Sequence, residues 1–388
     1  MNGKVLLSAL LGLYAGVSWA QGSVTLYGIL DEGLLFNDNA AGHRQYAMVG
    51  SVLSGNRFGL RGSEDLGDGL QAVFTLENGF DINTGKLGQG GLMFGRQAWV
   101  GVSNARWGSV TFGRQYDASI DYVGPLAAPS QWGGYIVTNP GDIENYSAAN
   151  HLNNSIKYKS ASFDGLTFGG VYSLGGVAGD FTQNQIISVG ANYANGWIAI
   201  GTSYLNARNP NASYYATSLP NATAATNNFY TPVNSGYASA HTLQMVNVAL
   251  AWTLGQATLG MNYSNSQFKG LSGHAGVLNP TGLKGDAAFN NVALNLRYRV
   301  SPELLLGGQA SYSHGSAVAG EPGGKYGQFD LGALYSLSKR TDLYATAVYQ
   351  VASGTQSTGT RAVASIFGLT PSSSNRQAAL RLAIRHVF

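Results

Sequence analysis

Apolar and polar residues alternate along most of this chain with a period of two. Val24, Leu26, Gly28 and Leu30 oppose Thr25, Tyr27, Ile29 and Asp31. Leu70, Ala72, Phe74 and Leu76 oppose Gln71, Thr75 and Glu77. Val292, Leu294, Leu296, Tyr298 and Val300 oppose Asn295, Arg297 and Arg299. The last segment sets Ala378, Leu380, Leu382, Ile384, His386 and Phe388 against Ala379, Arg381, Ala383, Arg385 and Val387. Such alternation, bounded by turn residues, predicts strands with one apolar face. Sixteen segments fit it. Seven short turns join them in pairs, at 66–69, 104–108, 164–165, 195–196, 254–256, 301–303 and 338–340. Eight longer connections remain, the longest near 116–153, 207–241, 268–289 and 351–376.

A soluble β-sandwich also alternates. Long strands and regular up-and-down hairpins favour a barrel instead. So does a set of aromatics at the expected strand ends: Tyr27, Phe36, Phe163, Phe168, Trp197, Trp252, Tyr335, Tyr344 and Phe388. In lipid an antiparallel sheet must close, because an open edge would leave unpaired backbone groups in hydrocarbon. A ring of sixteen strands is wide enough to hold water. The expected fold is therefore all-β: a 16-stranded antiparallel transmembrane β-barrel. Its last strand turns Leu380, Leu382 and Ile384 to lipid and Arg381 and Arg385 to the lumen.

The remaining composition agrees. Lys4, the apolar run from Val5 and the triplet ending at Ala20 predict a signal peptide over 1–20, cut before Gln21, with the barrel over 21–388. After that point no run approaches the roughly 18 apolar residues of a spanning helix. There is no cysteine, and 22 basic residues face 19 acidic ones, too slight an excess for a nucleic-acid partner. The six histidines lack metal-ligand spacing. "LGQGGLMFG" at 87–95 lacks the terminal Lys-Ser/Thr of a phosphate loop. No cofactor, metal or catalytic set is expected.

Several ordered pieces carry a resemblance: "SVTLYGILDEG", "SGNRFGLRGSEDLGDGLQAVFTLENGF", "FGRQAWVGVS", "GSVTFGRQYD", "NNSIKY" and "LRLAIRHVF". Together they resemble the general porins of the Gram-negative outer membrane, of the β-proteobacterial type. The resemblance implies a homotrimer among outer-membrane lipids and lipopolysaccharide, passing small hydrophilic solutes and ions. It implies a third loop, about Tyr116–Asn153, folded inward to narrow the channel. It also implies that Phe388 is read by the assembly machinery. "PSQWGG" at 129–134 aligns with the Pro-Glu-Phe-Gly-Gly of enteric porins, with Gln131 or Ser130 in the glutamate's place. Wall bases match at Arg57 and Arg96; Ile29 and His151 stand where Lys and Arg are usual.

The candidate pore-lining bases are Arg57, Arg61, Arg96 and Lys157. The candidate constriction-loop residues are Asp117, Asp121, Gln131, Trp132, Asp142 and Glu144. Each base has a plainer alternative, and for Arg57 and Arg61 it is wall packing, paired with Glu77 or a loop acid. Arg114 reads as a support for the root of the third loop, and Arg297, Arg299, Arg381 and Arg385 as a general positive field. The function expected is passive diffusion with a weak preference for anions. The alternatives are a porin specific for a small organic anion drawn to Arg57 and Arg96, an outer-membrane enzyme, or an adhesin using loops 207–241 and 351–376.

Overall fold

A computed structural model describes residues 22–216 and 225–388. The expected signal peptide lies outside those residues. The strands are β1 (Ser23–Ala40), β2 (His43–Gly50), β3 (Arg57–Gly67), β4 (Leu70–Gly79), β5 (Gln97–Asn104), β6 (Gly108–Gln115), β7 (Leu152–Lys159), β8 (Leu166–Ser173) and β9 (Ile186–Ala194). They continue as β10 (Ile198–Arg208), β11 (Thr242–Leu254), β12 (Ala257–Ser272), β13 (Lys284–Arg299), β14 (Leu304–Gly315), β15 (Lys325–Ser336), β16 (Thr341–Ser353) and β17 (Arg376–Val387). Each pairs antiparallel with its sequence neighbour, save for β2 and β3. Those two both pair with β1, one along each half of it, so seventeen segments make sixteen staves. The broken stave is interrupted at 51–56.

The ring closes where β1 meets β17, from Ile29↔Val387 to Asn37↔Ala379. The carboxy-terminal residue completes the seam. Gly28 and Phe388 exchange two backbone hydrogen bonds, each 3.0 Å long. The Phe388 ring lies where a Cβ on Gly28 would sit, 2.3 Å away. All seven expected turns fall at strand junctions on one end of the ring.

Alternation sorts the faces. Leu34, Leu294, Leu331, Leu380, Leu382 and Ile384 are exposed on the outside. Asn247, Ser264, Asn291, Gln328 and Gln350 are buried on the inside. These inner amides and hydroxyls are covered because loops fold onto them. One apolar cluster joins Tyr214, Tyr215, Phe229 and Tyr237 of the 209–241 loop to Phe268 and Phe289 of the wall. A second joins Trp132, Ile136 and Val137 to Val52 and Ile366.

Two sequence expectations change, and two of the named strand-end aromatics, Tyr27 and Tyr344, turn inward. Tyr27 Oη donates to Glu77 Oε2 at 2.9 Å, and Tyr344 Oη to Asp31 Oδ1 at 2.7 Å, both on the inner face. Arg381 and Arg385 are not a diffuse field, since each is locked in an ion pair, with Asp31 and Asp342. The 207–241 loop is no free surface arm where it is described, because its aromatics pack into the barrel mouth.

Candidate functional site

The bore is crossed by the segment between β6 and β7. Ser188 Oγ on β9 accepts from the Ala118 amide at 3.0 Å, and Asn192 on the same strand donates to the Tyr122 carbonyl at 3.3 Å. Farther round, Gln309 on β14 donates to the Val137 carbonyl at 2.7 Å. Gln328 on β15 reaches the Ile136 and Thr138 carbonyls, each at 3.4 Å. A segment that touches the inner faces of β9, β14 and β15 spans the interior. Glycines admit it: a Cβ at Gly307 or Gly332 would lie 2.2 or 2.4 Å from the Trp132 ring. Backbone carbonyls that leave water must find donors elsewhere, and the wall amides supply them.

Arg57 and Arg96 come together over one carboxylate. Arg96 Nε donates to Glu77 Oε1 at 2.8 Å; Arg57 Nη1 lies 3.9 Å from the same oxygen. Two guanidinium groups therefore share one acid, and Arg57 is the loosely held member. Its Nε donates to the Gly55 carbonyl at 2.9 Å, which aims the side chain along the 51–56 break. Arg61 stands apart, exposed, with its guanidinium 5.3 Å from the centroid of the Tyr27 ring. Lys157 is paired with Asp121 and donates to the Tyr116 carbonyl at 3.0 Å. Arg114 donates to the Gly95 carbonyl at 2.7 Å and to Asn153, so it ties the two roots of the loop together.

The loop residues divide by what they touch. Asp117 is wholly buried and accepts from the Ser119 amide, Asn145 and Tyr214 Oη. Glu144 accepts from Asn139 and, at 3.3 Å, from Asn291 on β13. Asp142 accepts from the Ser147 amide and hydroxyl. Burial pushes the Asp142 carboxyl well above its ordinary range, with the nearby Glu144 adding to the effect, and burial raises Glu144 too. These three acids organise the loop and do not face the passage. Trp132, fully buried against β14 and β15, anchors it. Gln131 is half-buried and donates to the Pro125 carbonyl at 3.2 Å. Asp121 is the loop acid left beside the bore, already matched by Lys157. His151 is buried against Tyr116, with ring centroids 4.7 Å apart. Burial, then the charges of Arg114 and Arg96, hold its imidazole far below the usual value, hence neutral.

Beside the loop lies a cavity of about 800 Å³. Arg57, Arg96, Tyr116 and Tyr146 line it, and so do Tyr135, Tyr230 and Phe367. Tyr230 and Phe367 come from the 209–241 and 354–375 loops. Sequence reasoning passed over both; the available signal was an aromatic in an otherwise polar loop, "NNFYTP" and "ASIFGL".

A sequence profile for Gram-negative porins matches residues 7–355. An outer membrane porin of Bordetella pertussis is 35% identical over 378 residues, which cover 90% of this chain and 94% of that one. Outer membrane porin protein 32 of Delftia acidovorans is 27% identical over 403 residues, 99% of each chain. Among solved structures, an anion-selective porin from Comamonas acidovorans superposes with a TM-score of 0.70 at 22% identity, over 95% of this chain and 100% of that one. The trimer form of OmpT from Vibrio cholerae gives 0.65 at 15% identity, over 95% and 99%. By the profile match and the Bordetella relative, and in keeping with the closed sixteen-stave ring, this chain belongs to the Gram-negative porin family, the channel-forming β-barrels of the outer membrane.

Proposed function

We propose that the protein is a homotrimeric diffusion channel for small hydrophilic solutes, with a weak preference for anions set beside the inward loop. The observation that carries this reading is the sharing of Glu77 by Arg57 and Arg96. One positive charge stays unmatched there. The Lys157–Asp121 pair adds none, and the remaining loop acids are turned away from the bore. The anion-selective Comamonas porin of the same fold agrees in sign.

The trimer draws support from one flank. On β1 the outward series runs Leu30, Glu32, Leu34, so a carboxylate stands in the apolar band. Asn83 donates to it at 3.0 Å. Alongside, β2 has no strand partner on its far edge among the described residues. A charged group and an unpaired edge are both costly in lipid. Cover by a second copy removes both from it, and OmpT of the same fold has been solved as a trimer.

The test is the zero-current potential of trimers in a planar bilayer under a KCl gradient. Charges a few ångströms from the path act within a Debye length of about 8 Å at physiological salt and about 3 Å at 1 M. The potential has the anion sign at low salt and shrinks toward 1 M. A cation sign at low salt would overturn the reading.

A further inference from the structure

We propose that the 800 Å³ cavity at the constriction is a binding station for small aromatic carboxylates. The proposal rests on the anion-preferring reading above and adds a substrate class to it.

One side of the cavity is built to hold an oxyanion. Arg57 and Arg96 present guanidinium groups, of which Arg57 is only loosely engaged at 3.9 Å. Tyr116 adds a hydroxyl beside them, whereas Tyr146, also in the lining, keeps its hydroxyl among the loop acids. Tyr116 is 9% exposed, and its hydroxyl has no hydrogen-bond partner among the described residues. A buried hydroxyl without a partner costs free energy comparable to a lost hydrogen bond. Burial raises the Tyr116 phenol above its ordinary value, so it keeps a proton to donate. Arg57, the Arg96–Glu77 pair and one unspent donor make a carboxylate-binding end, and Asp81 is the acid elsewhere in the lining.

Another part of the lining is aromatic. Tyr135 from the inward loop meets Phe367 edge-on, with centroids 6.3 Å apart, and Tyr230 lies 6.1 Å from Phe367. Three loops thus contribute one row of rings. Tyr230 is 63% exposed, so its face is open to a solute. Aromatic pairs at such spacing gain beyond simple burial. An aliphatic acid engages the cationic end alone, and a neutral aromatic engages the rings alone. An aromatic carboxylate engages both, and it resides longest.

The test uses trimers in a planar bilayer carrying KCl current, with benzoate, acetate and benzyl alcohol added in turn. Benzoate reduces the current saturably, at a half-blocking concentration about fivefold below that of acetate, the worth of one ring contact. Benzyl alcohol at equal concentration blocks less than benzoate. Tyr230→Ala, and separately Phe367→Leu, bring the benzoate-to-acetate ratio toward one. Equal block by benzoate and acetate in the parent, or an unchanged ratio in both variants, overturns the proposal. The KCl zero-current potential separates the two levels. An anion sign with no benzoate advantage sinks the station alone, whereas a cation sign sinks the anion-preferring reading beneath it.

Discussion

Arg381 Nη2 lies 2.9 Å from Asp31 Oδ1, and neither side chain touches solvent. The pair spans the seam between the last strand and the first. Asp31 also accepts from the Leu53 and Ser54 amides at 2.9 and 2.8 Å and from Tyr344 Oη at 2.7 Å. Arg381 Nε donates to the same Tyr344 oxygen at 2.9 Å. One carboxylate thus fastens the 51–56 break to the closing seam. Arg57 begins immediately after that break, so the latch positions the pore-side arginine indirectly.

Removing one partner of this pair strands the other. Arg381→Leu leaves Asp31 buried and unmatched, at a cost of about 3–5 kcal/mol. That rivals the roughly 2–4 kcal/mol of placing an arginine on the lipid face, as in Leu382→Arg. Both variants give less heat-modifiable folded protein than the parent. Asp31→Asn added to Arg381→Leu recovers part of the first loss. An Arg381→Leu channel assembling in full yield contradicts the latch.

Trp132 holds the inward loop against β14 and β15. Trp132→Ala empties a fully buried site, worth about 3–5 kcal/mol for an aromatic-to-alanine change. The ring still closes, because its ladders lie outside the loop. The loop loosens, and single-channel traces become noisier with a higher mean conductance. Unchanged conductance in a folded trimer places the loop outside the conducting path.

The buried loop acids give a pH dependence whose sign is fixed. Asp142 and Glu144 have carboxyls raised by burial. The folded loop then binds more protons than an unfolded one, so its stability falls as pH rises. The stabilisation is complete below the ordinary carboxylate range and is lost as pH climbs through the raised values. Protease cleavage within 138–148 increases across that span. Glu144→Gln, which keeps an oxygen for Asn291, weakens the dependence. Cleavage that decreases with rising pH contradicts the assignment.

Asp121 neutralises Lys157. Asp121→Asn frees one positive charge beside the bore. A unit charge at 4 Å is worth about 1 kcal/mol in bulk water and about 4 kcal/mol at an effective dielectric of about 20. The zero-current potential moves further toward anions, and the shift is lost at 1 M salt. A move toward cations contradicts the pairing.

Much of the ring is legible in the sequence because lipid outside and water or polar loops inside impose period two on every stave. The "LGDG" turn and the terminal Leu380, Leu382 and Ile384 face came from that pattern. The interrupted second stave did not, since "SVLSGN" carries no alternation to break. Partners were hidden for the same reason. An inward polar position reads alike whether it meets water, as Arg61 does in part, or a buried acid, as Arg381 does. The motif match brought Arg57 and Arg96 to one place. Glu77 was offered as a plainer partner of Arg57, but nothing in the sequence showed that Arg96 shares that acid, that Asp117, Asp142 and Glu144 turn inward to the loop, or that Tyr230 and Phe367 complete the cavity. Those facts depend on how three loops meet, which no local spacing encodes.

The most direct measurement is the zero-current potential of Arg57→Gln beside the parent, in the same low-salt KCl gradient. Arg57 is the loosely paired cation of the site, so its loss leaves Arg96 and Glu77 matched and the fold intact. The account predicts an anion sign for the parent and a potential near zero for the variant. A parent with a cation sign, or a variant with an undiminished anion preference, would contradict it.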